Sequence, residues 1–311
     1  MKNRILCTCP PMIRGIDAFS DHFENIGAEV VCPEFQQVMS EQELIALVPE
    51  FDGWIIGDDP ATASVFRAAR AGRLRAVVKW GIGMDNVDLE GAAAEGFQVP
   101  NTPGMFSEEV SDVAVGYLIG LARDLFFIDR NVREGNWVKP PGATLFGKTV
   151  ALVGFGGIGH STARKLLALG MKVVAYDPAY CEDSSLDVES AVWPERLGEA
   201  DFVVLTCALT ESSRHIVNAD SLRLMKEGVS IVNVGRGPLI DEKALVDALV
   251  SGHVSAVGLD VFENEPLSQG NPLREFEHCI FGTHNSSNTK EAVFRASVKA
   301  IELLESRLRE K

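Results

Sequence analysis

The chain has 311 residues, 46% of them hydrophobic, and carries 44 acidic against 29 basic side chains for a formal net charge of −15. That is apolar content for two ordinary cores, under a surface field that repels nucleic-acid phosphates and anionic lipid, so no nucleic-acid or membrane partner is expected. The opening "MKNRILCTCPP" has no signal-peptide core, and no run of about 18 apolar residues occurs, so a cytoplasmic protein is expected.

In chain order, short β-rich runs at 4–9, 28–32, 53–57 and 75–79 alternate with helical patterns. One of these helices opens with "SEQE", where Ser40 and Glu43 form a capping box. Next comes "NTPGMFSEEVSDVAVGYLIGLARDLFFIDRNVREG", read as a turn at 101–104 and then one long helix. Ser107 is its N-cap, with Glu108 and Glu109 at the positive end of the helix dipole. Its apolar residues (Val110, Val113, Ala114, Tyr117, Leu118, Leu121, Leu125, Phe126, Ile128) wrap most of the surface. Burial on more than one side is predicted, inside the domain or at a subunit interface. Further runs at 149–153, 172–176, 201–206, 229–234, 255–259 and 279–281 repeat the alternation, and a last helix covers 289–309. The class is α/β, with two parallel-sheet units. Six scattered cysteines (Cys7, Cys9, Cys32, Cys181, Cys207, Cys279) show no C-x-x-C and no His pair at zinc spacing, so no metal site is expected. Cys7 and Cys9 would face one side of the first strand as small core residues.

"GKTVALVGFGGIGHSTARKLLALGMKVVAYDP" (147–178) contains G-x-G-x-x-G as Gly154, Gly156 and Gly159. An apolar strand precedes it, a helix follows, and a second strand ends at Asp177, 18 residues beyond Gly159. Gly154 permits the turn, Gly156 lets a pyrophosphate approach the backbone, and Gly159 lets helix pack on strand. The amides of the helix start, from Gly157 and Ile158 onward, attract the anion. Asp177 would accept hydrogen bonds from the adenosine ribose and repel a 2'-phosphate, which predicts NAD over NADP.

A bound nicotinamide needs a proton carrier titrating near neutrality, and histidine is the natural choice. Of His22, His160, His215, His253, His278 and His284, only His284 follows a predicted strand at its carboxyl end, where ligands of open α/β sheets gather. "VNVGRGPLID" (232–241) places Arg236 between Gly235 and Gly237 just after another strand. Both glycines are expected to leave room for ligand against the main chain.

The stretch "VNVGRGPLIDEKALVDALVSGHVSAVGLDVFENEPL" (232–267) resembles the substrate-binding signature of the D-isomer-specific 2-hydroxyacid dehydrogenases. GFGGIG, the loop "KWGIGMDNVDLEGAAAEG" (79–96) and the late His284 complete the likeness in the right order. The resemblance implies a Rossmann NAD-binding domain (101–288) inserted in a flavodoxin-like substrate domain split between 1–100 and 289–311. It also implies hydride transfer between NAD(H) and a small D-2-hydroxy acid or 2-oxo acid. Arg236 falls on the family's catalytic arginine, Glu265 on its acidic partner and His284 on its acid/base. Arg236 would pin the 2-oxo acid by a planar fork, while Glu265 would hold the imidazole in one tautomer and favour its protonated form. Glu263 is expected to be a solvated loop charge. Gly81, Ile82 and Gly83 would cradle the substrate carboxylate with their amides, and Lys79 would either meet a second anionic group such as a phosphate or simply be solvated. Asp260 resembles the carboxylate that contacts the nicotinamide amide, and Cys207, Thr210 and Val234 fall beside the cofactor. Relatives dimerise through the Rossmann domain, so a homodimer is expected.

The chain departs from many relatives at Thr283, Asn285, Ser286 and Ser287 around the histidine, at Ala208 in "TCALT" and at Asp112 in the long helix; none of these removes a catalytic group. The resemblance leaves the physiological acid open and admits a phosphoglycerate dehydrogenase-like enzyme without a C-terminal regulatory domain. The alternative is an NAD-responsive, corepressor-like scaffold that binds peptides with little turnover.

Overall fold

The structure is a computed structural model that describes residues 2–35, 38–181, 183 and 185–310. It divides into two compact units, Met1–Met105 with Asn288–Lys311, and Phe106–Ser287.

In the first unit four parallel strands, β1 (Asn3–Cys7), β2 (Ala28–Val31), β3 (Gly53–Ile56) and β4 (Ala76–Lys79), lie in the order β2-β1-β3-β4. β3 and β4 are buried along their whole length, as parallel strands covered on both faces must be. Strand alternation sorts the side chains into two layers. Leu6, Trp54, Ile56 and Val77 join Leu44 and Phe66, from helices Glu41–Leu47 and Ala63–Arg70, in one apolar cluster. Each fully buried side chain of this kind contributes about 1.5–3 kcal/mol. Leu304 of the last helix, Lys290–Arg309, lies against Gly53, where a Cβ would meet its Cδ1 at 3.3 Å. That helix buries Ala292, Ala296, Ala300 and Leu304 at four-residue spacing, and the Thr289 hydroxyl caps it by accepting the Ala292 N–H at 3.1 Å. The capping box at Ser40 and Glu43 forms as read. Cys7 and Cys9 are both buried, but β1 ends at Cys7 and Cys9 instead precedes the helix Pro10–Ile13.

The second unit holds β5 (Thr149–Val153), β6 (Lys172–Tyr176), β7 (Val188–Ser190), β8 (Phe202–Leu205), β9 (Val229–Asn233), β10 (Val254–Leu259) and β11 (Ile280–Phe281). They are all parallel, in the order β11-β10-β9-β8-β5-β6-β7. The order reverses between β5 and β8, and the crevice at such a switch point is where a doubly wound sheet binds its ligand. β7 was not anticipated: "VES" sits at the sheet edge with its last two residues exposed, so it has no apolar signature.

The long helix is broken. Ser107–Ala122 ends, Asp124 adopts φ 50°, and Leu125–Arg133 starts anew. An aspartate tolerates this left-handed position, and Asp124 Oδ1 pairs there with His278 Nδ1 at 2.8 Å. Val110, Ala114, Leu118 and Leu121 are buried, but Leu125 and Phe126 are 48% and 45% exposed, because the break turns them off the core. Ser107 is the first helical residue rather than the cap; Phe106 precedes it and no side chain caps the helix. Among the described residues no helix is long and apolar enough to cross a membrane.

Candidate active site

Every residue singled out in the second unit lies beyond the carboxyl end of a strand. Gly154, after β5, has φ 94°, and a Cβ there would fall 2.6 Å from the backbone of Cys207, which follows β8. A Cβ on Gly159 would fall 2.1 Å from the Gly154 carbonyl oxygen. These two glycines are therefore required by the protein's own packing. Gly156, the N-cap of helix Gly157–Ala168, differs: a Cβ there would meet nothing within 4 Å. The turn thus offers open space at a helix start whose Gly157 and Ile158 open the first turn, which fits a pyrophosphate. Gly157 itself backs onto Ser107, with a Cβ position 2.7 Å from the Ser107 hydroxyl.

Asp177 Oδ2 accepts the Phe155 N–H of this turn at 2.6 Å, and Oδ1 accepts the Ala179 N–H at 2.8 Å. A carboxylate oxygen has two lone pairs, so both retain capacity for ribose hydroxyls. Burial pushes the Cys207 thiol up to about 11, which keeps it neutral. The Thr210 N–H donates to Ser213 Oγ at 2.8 Å, and the buried Val234 donates its N–H to the Leu205 carbonyl at 3.2 Å.

Arg236 is extended, with φ −140° and ψ 145°. Its Nη1 donates to the Gly235 carbonyl at 2.9 Å. The glycines beside it are required by the protein's own packing. A Cβ on Gly237 would lie 1.9 Å from the Phe262 carbonyl carbon and oxygen, and one on Gly235 would lie 2.9 Å from the Cys207 carbonyl. The Cβ positions of both are taken by the protein's own atoms, the Leu239 side chain and Cys207 backbone at Gly235 and the Phe262 backbone at Gly237. The fully buried Asn233 closes the turn: its Nδ2 donates to the Arg236 carbonyl at 2.8 Å, and its Oδ1 accepts the Gly235 N–H at 3.0 Å.

His284 Nδ1 pairs with Glu265 Oε2 at 2.8 Å, and Glu265 Oε1 accepts the Phe262 N–H at 2.9 Å. The histidine backbone is left-handed, φ 53°. Asp260, 1% exposed, holds it there: its carbonyl accepts the His284 N–H at 2.7 Å, and its carboxylate accepts the Asn285 N–H at 3.1 Å and the Ser286 N–H at 2.9 Å. Gly282 makes room for this, since a Cβ there would lie 2.2 Å from Asp260 Oδ1 and 2.3 Å from the Tyr117 hydroxyl. Burial first, and the Asp260 charge second, push the Tyr117 phenol well above its usual range.

Sequence reasoning missed three residues of this frame. Asn233 is one. The others are His215 and Glu263, whose Nε2 and Oε1 pair at 2.6 Å, so Glu263 is not the solvated charge expected of it. His215 also donates its N–H to the Pro238 carbonyl at 2.8 Å, tying the segment after Arg236 to the loop that carries Glu265. No spacing rule marks such a pair. His160 pairs with Asp183 Oδ2 at 2.6 Å. A cavity of about 320 Å³ opens at the opposite, amino end of the sheet, between Lys148, Asp201, Lys226 and His278, and touches none of these groups.

Lys79, Gly81, Ile82 and Gly83 belong to the first unit. Lys79 is not solvated: its side chain is 2% exposed, and its ammonium donates to the Gly57 carbonyl and to Asp58 Oδ1. Gly81 has φ 116° and its N–H already donates to Thr102 Oγ1 at 2.9 Å, so of the three amides expected to cradle an anion this one is committed within the protein.

A family model described as "D-isomer specific 2-hydroxyacid dehydrogenase, NAD binding domain" matches residues 115–286. The hydroxypyruvate reductase of Thermotoga maritima is 39% identical over 269 residues, 85% of this chain and 87% of that protein. The D-3-phosphoglycerate dehydrogenase of Mycobacterium bovis is 36% identical over 264 residues, 84% of this chain but 50% of that longer protein. The crystal structure of a glyoxylate reductase from Paecilomyes thermophila superposes with a TM-score of 0.84 at 26% identity, covering 99% of this chain and 96% of that one. With an open glycine turn and a carboxylate at the end of β6 that fit a dinucleotide, the chain belongs to the D-isomer-specific 2-hydroxyacid dehydrogenases and is an NAD-dependent enzyme of that family.

Proposed function

We propose that the protein reduces a small 2-oxo acid to its D-2-hydroxy acid, with His284 as acid/base, Glu265 as its partner and Arg236 as the anchor of the substrate. The second unit is then the dinucleotide domain and the first the substrate domain. The observation that carries this reading is the 2.8 Å bond from His284 Nδ1 to Glu265, which occupies that nitrogen and so supports proton exchange at Nε2. NADH, when bound, supplies the hydride to the carbonyl carbon. Arg236 holds the substrate carboxylate and oxo oxygen by its fork and draws electron density toward that oxygen. His284 gives its Nε2 proton to the oxygen as the alcohol forms, and Glu265 stabilises the imidazolium before transfer. Within the first unit, the Ile82 and Gly83 amides would be the donors offered to a substrate carboxylate.

The glycine turn at 154–159 would hold the pyrophosphate, Asp177 the adenosine ribose, and Cys207, Thr210 and Val234 the path between. Asp260 would use the spare lone pairs of its carboxylate toward the nicotinamide amide. We also assign the chain a homodimer through the second unit, where Leu125, Phe126, Val132, Trp137 and Phe146 are 45–81% exposed. Light scattering reads this directly.

The test is NADH consumption across a panel of 2-oxo acids. Turnover on small acids, falling by about 100- to 10,000-fold in His284→Ala, is expected. Near-normal turnover in that variant would overturn the assignment, and tight NADH binding without turnover on any acid would favour the peptide-binding scaffold.

A further inference from the structure

We infer that the substrate is an unphosphorylated 2-oxo acid, and that Asp58, acting through Lys79, is the residue that excludes its phosphorylated counterpart. This rests on the function proposed above and narrows its substrate class.

The argument starts from the loop after β4. If Ile82 and Gly83 hold the C1 carboxylate, C3 is two bonds from that carbon, so any charge on C3 feels whatever charges surround the loop. Lys79 is the last residue of β4, and a Cβ placed on Gly81 would lie 3.9 Å from its Nζ, so the ammonium lies at the start of the loop that carries Ile82 and Gly83. On its own it would be a phosphate site. It is instead turned inward, 2% exposed, with its charge met by Asp58 Oδ1 at 3.0 Å and its second donor on the Gly57 carbonyl.

Asn86 fixes this arrangement by donating from Nδ2 to the Gly57 carbonyl at 3.1 Å and to the Asp59 carbonyl at 2.6 Å, which ties the loop after β3 to the loop after β4. The segments leaving β2, β3 and β4 (32–40, 57–62 and 80–88) carry Glu34, Asp58, Asp59, Asp85 and Asp88 and no lysine or arginine, while the segment leaving β1 (8–15) carries one cation, Arg14, as the C-cap of helix Pro10–Ile13. A phosphate dianion needs at least one uncommitted cation in such a place. Here it would meet a neutralised lysine among carboxylates. A hydroxyl on C3 is accepted by the same surroundings, because it donates to a carboxylate and brings no charge.

The experiment compares kcat/KM for hydroxypyruvate and 3-phosphohydroxypyruvate with NADH, in the full chain and in Asp58→Asn. The unmodified protein should favour the unphosphorylated acid by roughly 100-fold or more, as like-charge juxtaposition demands. Asp58→Asn, which leaves the ammonium's charge unbalanced while its bond to the Gly57 carbonyl stays, should narrow the ratio on the order of tenfold, the worth of one charge in a partly screened site. Equal use of both acids by the unmodified protein would overturn the inference, as would an unchanged ratio in a variant with the same melting temperature. A second reading needs no variant: glycerate should inhibit hydroxypyruvate reduction more strongly than 3-phosphoglycerate, and equal inhibition would count against Asp58. If hydroxypyruvate is reduced but the ratios do not behave so, this inference fails alone. If no 2-oxo acid is reduced, the proposed function fails and takes the inference with it.

Discussion

The carbonyl of Asn233 accepts the N–H of Asp260 at 3.0 Å, and this bond joins the two halves of the site. On one side the Asn233 side chain shapes the turn that carries Arg236; on the other the Asp260 carboxylate carries the segment of His284. Guanidinium and imidazole are therefore set by adjacent strand ends, β9 and β10, and not by independent loops. Under the proposed function these two groups act on one carbonyl, and a catalytic pair gains from such rigid support.

Asp260→Ala tests that support. Removing the carboxylate takes away the acceptor of the Asn285 and Ser286 amides, at about 1–3 kcal/mol for a buried donor such as that of Ser286, and frees the left-handed backbone of His284 to relax. We expect a lower melting temperature and a kcat reduced by about 10- to 100-fold from misplacement alone. Asp260→Asn, which keeps one acceptor oxygen, should fall between the two. If kcat in Asp260→Ala stays at the unmodified value once folding is checked, the carboxylate does not position the histidine.

Gly237→Ala is a small change with a large expected effect. The added methyl would sit 1.9 Å from the Phe262 carbonyl group, a backbone neighbour that cannot rotate away, so the turn of Arg236 must move off the loop of Glu265. Overpacking of this kind costs about 1–3 kcal/mol, and kcat/KM should fall with it. Thermal melting and steady-state kinetics on one preparation read both. A variant as stable and active as the unmodified protein would show that the two loops are not held together here.

The contrast between Gly156 and Gly237 explains what was legible in the sequence. Gly156 sits in a spacing whose mechanics follow from local geometry, as do the strand runs and the capping box at Ser40, so all could be read from a few neighbouring residues. Gly237 looked the same in the sequence but serves a contact 25 residues away in the chain, and its reason shows only in three dimensions. His215 and Glu263 are polar residues whose pairing spans 48 positions, and Asn233, though its side chain bonds the neighbouring Gly235 and Arg236, is equally silent, because polar side chains leave no periodicity to find. The helix break at Asp124 was hidden because the apolar pattern runs through it; a hydrogen bond to His278 belongs with the break, not a local signal. His284 stood out by its place after a strand, but Glu265 could be named, and the two paired, only through resemblance, since nothing in their spacing links them.

Acid should weaken the seam between helices Ser107–Ala122 and Gly157–Ala168. A hydrogen bond from Ser161, followed by Lys165 and Arg164, holds the Glu108 carboxyl down at about 2. A carboxyl depressed in the folded state contributes stability that is present above its unfolded value, about 4.3, and is lost as pH falls toward the folded one. The group is 59% exposed, so solvent screening keeps the contribution below about 1 kcal/mol. Glu108→Gln should therefore melt slightly below the unmodified protein at neutral pH and approach it as the pH drops to about 2. A melting difference that grows on acidification would contradict the pairing.

Asp177→Ala separates the two tasks of that carboxylate. Its Oδ2 accepts the Phe155 N–H at 2.6 Å, so part of its role is to shape the glycine turn before any ligand arrives. The rest would be the ribose, where a hydrogen bond to a charged group is worth about 1.5–3 kcal/mol, or roughly 10- to 100-fold in affinity. Asp177→Ala should raise the Kd for NADH by that factor. It should also lessen discrimination against NADPH, because the 2'-phosphate no longer faces a negative charge. Asp177→Asn keeps an acceptor for Phe155 while losing the charge, so it should reproduce the loss of discrimination with a smaller loss of affinity. Titration of both variants with NADH and NADPH, followed by nucleotide fluorescence, gives the four constants. An NADH to NADPH ratio that does not move in either variant would remove the carboxylate from cofactor choice and leave it only the turn.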